Sequence, residues 1–581
     1  MKRRAVLMAA IVLALYSAGC TRIAGRVLGV GPVENRVVVE TGVMVPMSDG
    51  VRLATDIYKP KGMDRGPVVL IRTPYNKSGE EIMTYAYKII CRQGYFVAVQ
   101  DCRGKFGSEG EFYPFLNEAD DGKDMVAWLN GQTWCDGNIG TWGGSYFGYT
   151  QWSLADDNPY LDAMVPYVTT ARIEKIIYEG GALNYQNILG WSASNSEERD
   201  RDSRGDMKEA VWNLPLDQSD DIAAGANVPM YEDVVNYAML DVMKERDFSD
   251  NFDDVSAPSY NVVGWYDLFQ KYQIEDFMFI REEAHEPARS MSRIVVGPWG
   301  HGVFKKPPVK YKEGGILQLP QFGRMMDFYD HLLKGMDNGV DQWAPWRIYV
   351  MGVNEWREFE EWPPEDMELT SFYFQSGGDA NTAAGDGVIM RETRKGGSVD
   401  EFVYDPADPV PTVGGPLLAK NLGPAEQSAV ESREDVLVYT GEELSGPLTV
   451  MGPIKVVVYA ASDATDTDFT AKLCDVFHNG KSINIADGIV RARFHNGDLD
   501  SPELIEPGKV YEYEIDLWYT AYVFQPGHRV RVQISSSNFP RFDRNLNTGG
   551  DIASGTEMRE ARQKIFHDSE RPSRIILPVV E

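Results

Sequence analysis

Residues Gly143-Gly144-Ser145-Tyr146-Phe147-Gly148 constrain this chain more than any other stretch. They follow a strand-like run, Gly137–Trp142, and precede a helix-like run, Tyr149–Ala155. A serine among glycines at such a junction predicts a sharp turn, because glycine accepts backbone angles and close approaches that a Cβ forbids. The turn lifts the hydroxyl clear of the backbone, the geometry of a nucleophile elbow. The helix start that follows favours developing negative charge. The last glycine arrives one residue later than in the pattern G-x-S-x-G, with Phe147 in its place. The motif alone therefore fits a structural turn about as well as a nucleophile, and its partners must decide.

A chain of 581 residues exceeds one ordinary core, so two or three domains are expected. A hydrophobic content of 43% with 11% aromatics is that of a globular protein. The net charge of −30 argues against a nucleic-acid partner, which would require clustered Lys and Arg. The N-terminus reads as a targeting segment over residues 1–20: a basic start at Lys2-Arg3-Arg4, an apolar run from Ala5 to Tyr16, and Ser17-Ala18-Gly19-Cys20. That ending resembles a bacterial lipobox, with Ser17 where leucine is usual. The expectation is export, with Cys20 lipidated and the protein held at a membrane by that lipid. Ordinary cleavage to a periplasmic or secreted protein, or an uncleaved anchor, are the alternatives. Of the other cysteines, Cys91, Cys102, Cys135 and Cys474, none forms a C-x-x-C pair that would suggest a metal. Buried free thiols are expected, with Cys91–Cys135 the least implausible bridge.

Along the chain, Val37–Thr41 and Val51–Tyr58 flank the turn Ser48-Asp49-Gly50 and predict an antiparallel edge hairpin. Short apolar runs follow at Val68–Ile71, Tyr95–Gln100, Leu161–Val168, Tyr260–Val263 and Arg293–Val296, with a helical stretch at Asn117–Leu129. Continuous apolar strands alternating with helices predict an α/β fold with a mostly parallel sheet. From about Thr170 to Asp250 the strand signal stops, and the run Glu197–Asp202 reads as a solvated helical face. After about Trp343, glycine and proline turns punctuate short strands, predicting an all-β sandwich or jelly roll, with a loop at Gly377–Gly397. The expected units are residues 33–170 and 251–342 for the α/β domain, 171–250 for a helical cap inserted into it, and 343–581 for the β domain.

A serine nucleophile needs a base, and the base needs an orienting carboxylate. Among seven histidines only His301 directly follows a sheet-like strand, in Ile294-Val295-Val296-Gly297-Pro298-Trp299-Gly300-His301. His285 and His331 lie in helical patterns, and His478, His495, His528 and His567 in the β region. Asp267 closes the preceding strand, Tyr260–Asp267, as His301 closes the next, although it also suits a helix N-cap. Asp101 ends a strand too but precedes Ser145, and is expected to hold Arg103 in the turn Asp101-Cys102-Arg103-Gly104. The resulting order, Ser, Asp, His, is that of α/β-hydrolases. For the oxyanion, the Tyr146 N–H follows from the elbow. The second donor belongs on the loop Arg72–Lys77, which has no glycine run, but Tyr75 can offer its phenol O–H or simply pack the core.

Five ordered motifs then resemble the CocE/NonD hydrolases, relatives of bacterial cocaine esterase, the α-amino-acid ester hydrolases and the X-Pro dipeptidyl-peptidases. They are Arg72-Thr73-Pro74-Tyr75, Asp101-Cys102-Arg103-Gly104, Gly143–Gly148, Gly264-Trp265-Tyr266-Asp267 and Gly297–His301, with Ser535–Asp543 extending the likeness into the β region. The late glycine is that family's own pattern. The resemblance implies Ser145 as nucleophile, His301 as base, Asp267 as orienter, Tyr75 and the Tyr146 amide as oxyanion hole, and hydrolase, cap and jelly-roll domains. It also implies that an α-amino ester substrate would require extra carboxylates near the catalytic Asp, where this chain has Leu268-Phe269-Gln270.

The expected function is a serine hydrolase that cleaves small-molecule esters or amides through an acyl-enzyme, with no cofactor or metal. An X-Pro dipeptidyl-peptidase is the alternative, and a non-catalytic surface- or carbohydrate-binding lipoprotein the further one.

Overall fold

Runs of aliphatic residues without polar interruption become strands covered on both faces. The computed structural model describes residue 30 and residues 36–79, 81–196, 205–238, 248, 251–302, 304, 307–311, 319–393 and 398–581. The strands that build the first part of the molecule are β1 (Val37–Pro46), β2 (Arg52–Pro60), β3 (Gly66–Thr73), β4 (Phe96–Asp101), β5 (Cys135–Gly144) and β6 (Ala163–Tyr167). After a small hairpin, β7 (Tyr178–Glu179) and β8 (Ala182–Leu183), come β9 (Tyr260–Tyr266), β10 (Arg293–Gly300), β11 (Trp346–Val350) and β12 (Glu355–Phe359). Ten of these form one sheet in the order β1-β2-β4-β3-β5-β6-β9-β10-β11-β12. Strands from β4 to β11 pair in parallel. The hairpin β1–β2, its join to β4, and β12 are antiparallel.

Every residue of β3, β4, β9 and β10 is buried. Alternation explains how: Val69 and Ile71 enter one core with Val97, Val99 and Tyr329, while Val68 and Leu70 enter the opposite one with Ala98, Met125 and Ile280. The helices Glu81–Arg92, Glu118–Asn130, Tyr146–Trp152, Gln270–Glu283 and Leu319–Lys334 accompany the strands. The same two faces exclude a Cys91–Cys135 bridge. Cys91 belongs to the first core and Cys135 to the second. All four described cysteines are free and buried. Burial pushes the Cys91 thiol up to about 12, so it stays protonated.

The cap contains the helices Ile173–Ile177, Tyr185–Asn195, Met207–Ala210, Ser219–Ala224 and Pro229–Val235. The sequence run Glu197–Asp202 lies outside the described residues. What the helical reading lacks is the β7–β8 hairpin, two residues per strand around Gly180-Gly181. Its tip is seated on the β domain. The Arg491 N–H donates to the Gly180 carbonyl at 2.8 Å. A Cβ at Gly180 would lie 2.0 Å from the Ile489 carbonyl oxygen, at a φ of +55°, so only glycine fits. Beside it the buried Arg541 guanidinium bridges Glu179 of the cap, at 2.9 Å, and Asp487 of the β domain. The Leu183 N–H donates to Asp543 at 2.9 Å and the Gln186 N–H to the Pro540 carbonyl at 3.0 Å.

The C-terminal part is all-β, an eleven-stranded hydrogen-bonded system whose longest pair is Leu448–Ser462 against Tyr511–Phe524. One apolar core runs without a break from Val263, Trp265 and Phe277 beside the first sheet into Ile454, Val456 and Ile534. Two strands that sequence texture assigns to the β domain, β11 and β12, instead extend the first sheet: Ile294 is in register with Trp346, and Val350 with Glu355. Local periodicity identifies a strand but not its neighbour, and here the neighbour is β10. The Gly377–Gly397 stretch likewise contains a short strand, Val388–Met390, paired with Met367–Gln375.

Candidate active site

Parallel strands deliver their following loops to one edge of the sheet, and the switch in strand order around β3 opens a crevice there. The loop after β3 carries Tyr75, that after β5 Ser145, that after β9 Asp267 and that after β10 His301. Because β3 neighbours β5 and β9 neighbours β10, Tyr75 and Ser145 form one pair and Asp267 and His301 another.

Ser145 has φ 57° and ψ −128°, a conformation unfavourable for any residue with a Cβ. The surroundings hold it. Its N–H donates to the Tyr167 carbonyl of β6 at 3.0 Å, and its carbonyl accepts from the Thr169 hydroxyl at 2.8 Å and the Tyr149 N–H at 3.0 Å. The position of the glycines now has a cause. A Cβ at Gly143 would lie 2.3 Å from the Phe147 carbonyl oxygen, and one at Gly148 would lie 2.6 Å from the Thr169 side chain. The late glycine thus lets the helix Tyr146–Trp152 approach Thr169, whose hydroxyl fixes the serine.

Asp267 is wholly buried and accepts two hydrogen bonds. Its Oδ1 takes the Phe269 N–H at 2.9 Å, and its Oδ2 lies 3.0 Å from His301 Nδ1. A carboxylate at Nδ1 keeps the proton on that nitrogen and leaves Nε2 as the basic one. The His301 side chain is 16% exposed, with Phe269 against its ring at 5.6 Å. The other histidines are used elsewhere. His331 contacts the Met336 carbonyl, His528 pairs with Asp475 and His567 with Asp400, while His285 is exposed.

Asp101 does not hold Arg103. It receives the Lys77 N–H at 2.7 Å and the Lys77 ammonium at 2.9 Å, while Arg103 pairs with Asp49 and Asp121. The chain reverses directly after β4, which leaves Asp101 inside against the β3 loop and carries Arg103 out. Asp101 therefore braces the loop that bears Tyr75. The Tyr75 ring meets Tyr146 and Phe147 edge-on, at 6.5 and 6.0 Å, and its hydroxyl accepts the Trp191 indole N–H at 2.9 Å.

Below the elbow, the Tyr146 phenol donates to Glu118 at 2.8 Å and accepts the Phe115 N–H at 2.9 Å, and Glu118 pairs with the buried Arg72 at 3.0 Å. Burial first, and the Glu118 charge second, raise this phenol well above its ordinary range, so it remains a neutral donor. The Tyr146 N–H opens its helix and has no carbonyl within that helix to bind. Ser145 lies in the wall of a pocket between sheet and cap, with Phe115, Ile176, Ile177, Trp191, Met230 and Leu268 among its neighbours. Among the described residues this lining includes no charged side chain. No group of three or more His, Cys, Asp or Glu among the described residues is arranged to hold a metal ion.

Trp191, Thr169 and Glu118 escape sequence reasoning. None belongs to a motif, and each matters only through what tertiary packing brings to it.

A family model described as X-Pro dipeptidyl-peptidase (S15 family) matches residues 49–303. A second, described as X-Pro dipeptidyl-peptidase C-terminal non-catalytic domain, matches residues 338–576. Cocaine esterase of Rhodococcus sp. (strain MB1 Bresler) is 37% identical, over 94% of this chain and 99% of its own length. Among solved structures, an aminopeptidase from the marine sediment archaeon Thaumarchaeota archaeon is similar with a TM-score of 0.79 at 25% identity, covering 94% of this chain and 97% of its own. An α-amino acid ester hydrolase is similar with a TM-score of 0.78 at 25% identity and the same coverage. With a relative of such identity matched along nearly its whole length, the chain belongs to the CocE/NonD family of serine hydrolases.

Proposed function

We propose that the chain is an acyl esterase or amidase acting through an acyl-enzyme on substrates with an uncharged, apolar acyl group. The observation that carries the acyl preference is the uncharged, largely hydrocarbon pocket beside Ser145. In this reading the Ser145 oxygen attacks the carbonyl carbon and its proton passes to His301 Nε2. Asp267 orients the imidazole and stabilises its charge. The tetrahedral oxyanion takes the Tyr146 N–H and the Tyr75 O–H. Collapse breaks the bond to the leaving group, which departs with the proton from His301. A water activated by His301 then hydrolyses the acyl-serine.

The dipeptidyl-peptidase reading is favoured by the descriptions of both family models and by the aminopeptidase likeness. It asks for a carboxylate to receive a substrate ammonium group, which the described lining of this pocket does not supply. A panel of p-nitrophenyl acyl esters against Xaa-Pro-p-nitroanilides separates the two. Esters should be preferred, with kcat/KM rising about three- to fourfold per added methylene until the pocket is full. A preference for Xaa-Pro anilides transfers the chain to the second reading.

Tyr75→Phe keeps the ring and removes the donor. It should cost about 10²–10³ in kcat, roughly 3–4 kcal/mol, with KM and thermal midpoint close to wild type. Near wild-type kcat in a folded Tyr75→Phe protein removes Tyr75 from the mechanism.

Export and anchoring through Cys20 form part of the same reading, supported by the sequence of residues 1–20, which lie outside the described residues. Metabolic labelling with a palmitate analogue in a bacterial host should mark the protein, and Cys20→Ser should abolish the mark. An unlabelled, freely released wild type points to ordinary cleavage.

A further inference from the structure

The catalytic groups proposed above all stand on loops of the first sheet, yet one of them is hydrogen-bonded to the cap. Trp191 lies in the cap helix Tyr185–Asn195, and its indole N–H donates to the Tyr75 hydroxyl at 2.9 Å. The indole itself is held by two stacked rings, Tyr146 at 5.8 Å and 10° and Phe115 at 5.8 Å and 20°. Tyr146 is the residue that adjoins Ser145 and supplies the other proposed oxyanion donor. One cap side chain thus touches both residues proposed to form the oxyanion site, Tyr75 through its hydroxyl and Tyr146 through its ring.

We infer that Trp191 is a positioning residue for the oxyanion donor: its N–H fixes the Tyr75 hydroxyl and strengthens the bond that hydroxyl donates in the transition state. This rests on the reading of Tyr75 as an oxyanion donor. The physical basis is twofold. A phenol rotates its O–H about the C–O bond, and a donor placed on its oxygen restricts where the proton points. An oxygen that accepts a hydrogen bond is also polarised and becomes a better donor through its own proton. Oxyanion stabilisation depends on dipoles that need no reorganisation as charge develops, and the three-ring stack supplies that rigidity from the cap side.

Trp191 also lines the pocket, so the test must separate positioning from wall contact. Trp191→Phe retains an aromatic ring and removes the N–H. It should lower kcat about tenfold by the same factor for acetyl and for longer acyl p-nitrophenyl esters, with KM little changed. A wall residue would instead change KM and the dependence on acyl length, and that result overturns the proposal. In a Tyr75→Phe background Trp191→Phe should cost less than about twofold further, because its target donor is already gone. A repeat of the full single-mutant loss in that background shows that Trp191 acts by another route and overturns the proposal. If Tyr75→Phe itself has wild-type kcat, the oxyanion assignment fails, and this inference with it. If Tyr75→Phe is impaired and Trp191→Phe is not, only this inference fails. Thermal midpoints accompany each variant. Trp191→His, which keeps a ring N–H, is the second variant for a poorly folding Trp191→Phe. It should retain more kcat than Trp191→Phe, and an equal or larger loss in a folded protein overturns the proposal.

Discussion

Ser145→Ala should abolish turnover and leave the fold in place. Loss of the nucleophile of a triad costs about 10⁶ in kcat, and the hydroxyl is the only covalent handle beside the pocket in the proposed mechanism. The backbone explains why the fold survives. Alanine bears the same unfavourable φ of 57° as serine, and the bonds that impose it come from the Ser145 N–H and carbonyl, not from its side chain. A fluorophosphonate probe checks the result: it labels wild type, and equal labelling of the variant relocates the nucleophile. The thermal midpoint should match wild type.

His301→Ala should be nearly as damaging, because no other described histidine stands at the end of β10 or contacts Asp267. Asp267→Asn follows from the two bonds its carboxylate accepts, one from the Phe269 N–H and one from His301. An amide has one oxygen to serve both donors. Either the backbone bond is lost, or the amide NH₂ faces Nδ1 and drives the imidazole into the wrong tautomer. The loss in kcat should be about 10⁴, as expected when tautomer control fails while geometry is kept. His285→Ala and His331→Ala are the controls. Steady-state kinetics in which either control inactivates and His301→Ala does not would discard the strand-end assignment.

How much of this was legible depended on the range of the interaction. The strand-end positions of Ser145, Asp267 and His301 were readable because a buried parallel strand announces itself as an apolar run and the proposed chemistry sits on the next few residues. The helical character of the cap was readable from the absence of such runs. Pairings between distant segments were not. Asp101 and Arg103 are close in sequence and of opposite charge, yet Asp101 is held by Lys77, since a reversal of chain direction decides which side chains stay inside. β11 and β12 have the texture of the β domain and the partners of the first sheet. Gly180-Gly181 carries no motif and is a fitted contact, Gly180 against the Ile489 carbonyl and Gly181 against the Phe494 ring. Trp191 gave no signal, because its significance lies in the atom its indole nitrogen meets.

The seat of the cap on the β domain has an evolutionary consequence. Ile176 and Ile177 form part of the pocket wall, and Glu179, two residues further on, is bound by Arg541, 362 positions away. Selection on the shape of this wall is therefore expected to involve the β domain as well as the cap. A substitution near Arg541 is expected to shift the wall through Glu179, and tolerance of a new wall residue to depend on how the hairpin remains seated. Epistasis between these far-separated segments is the expected consequence, with specificity drifting by paired changes in cap and β domain more readily than by exchange of either one.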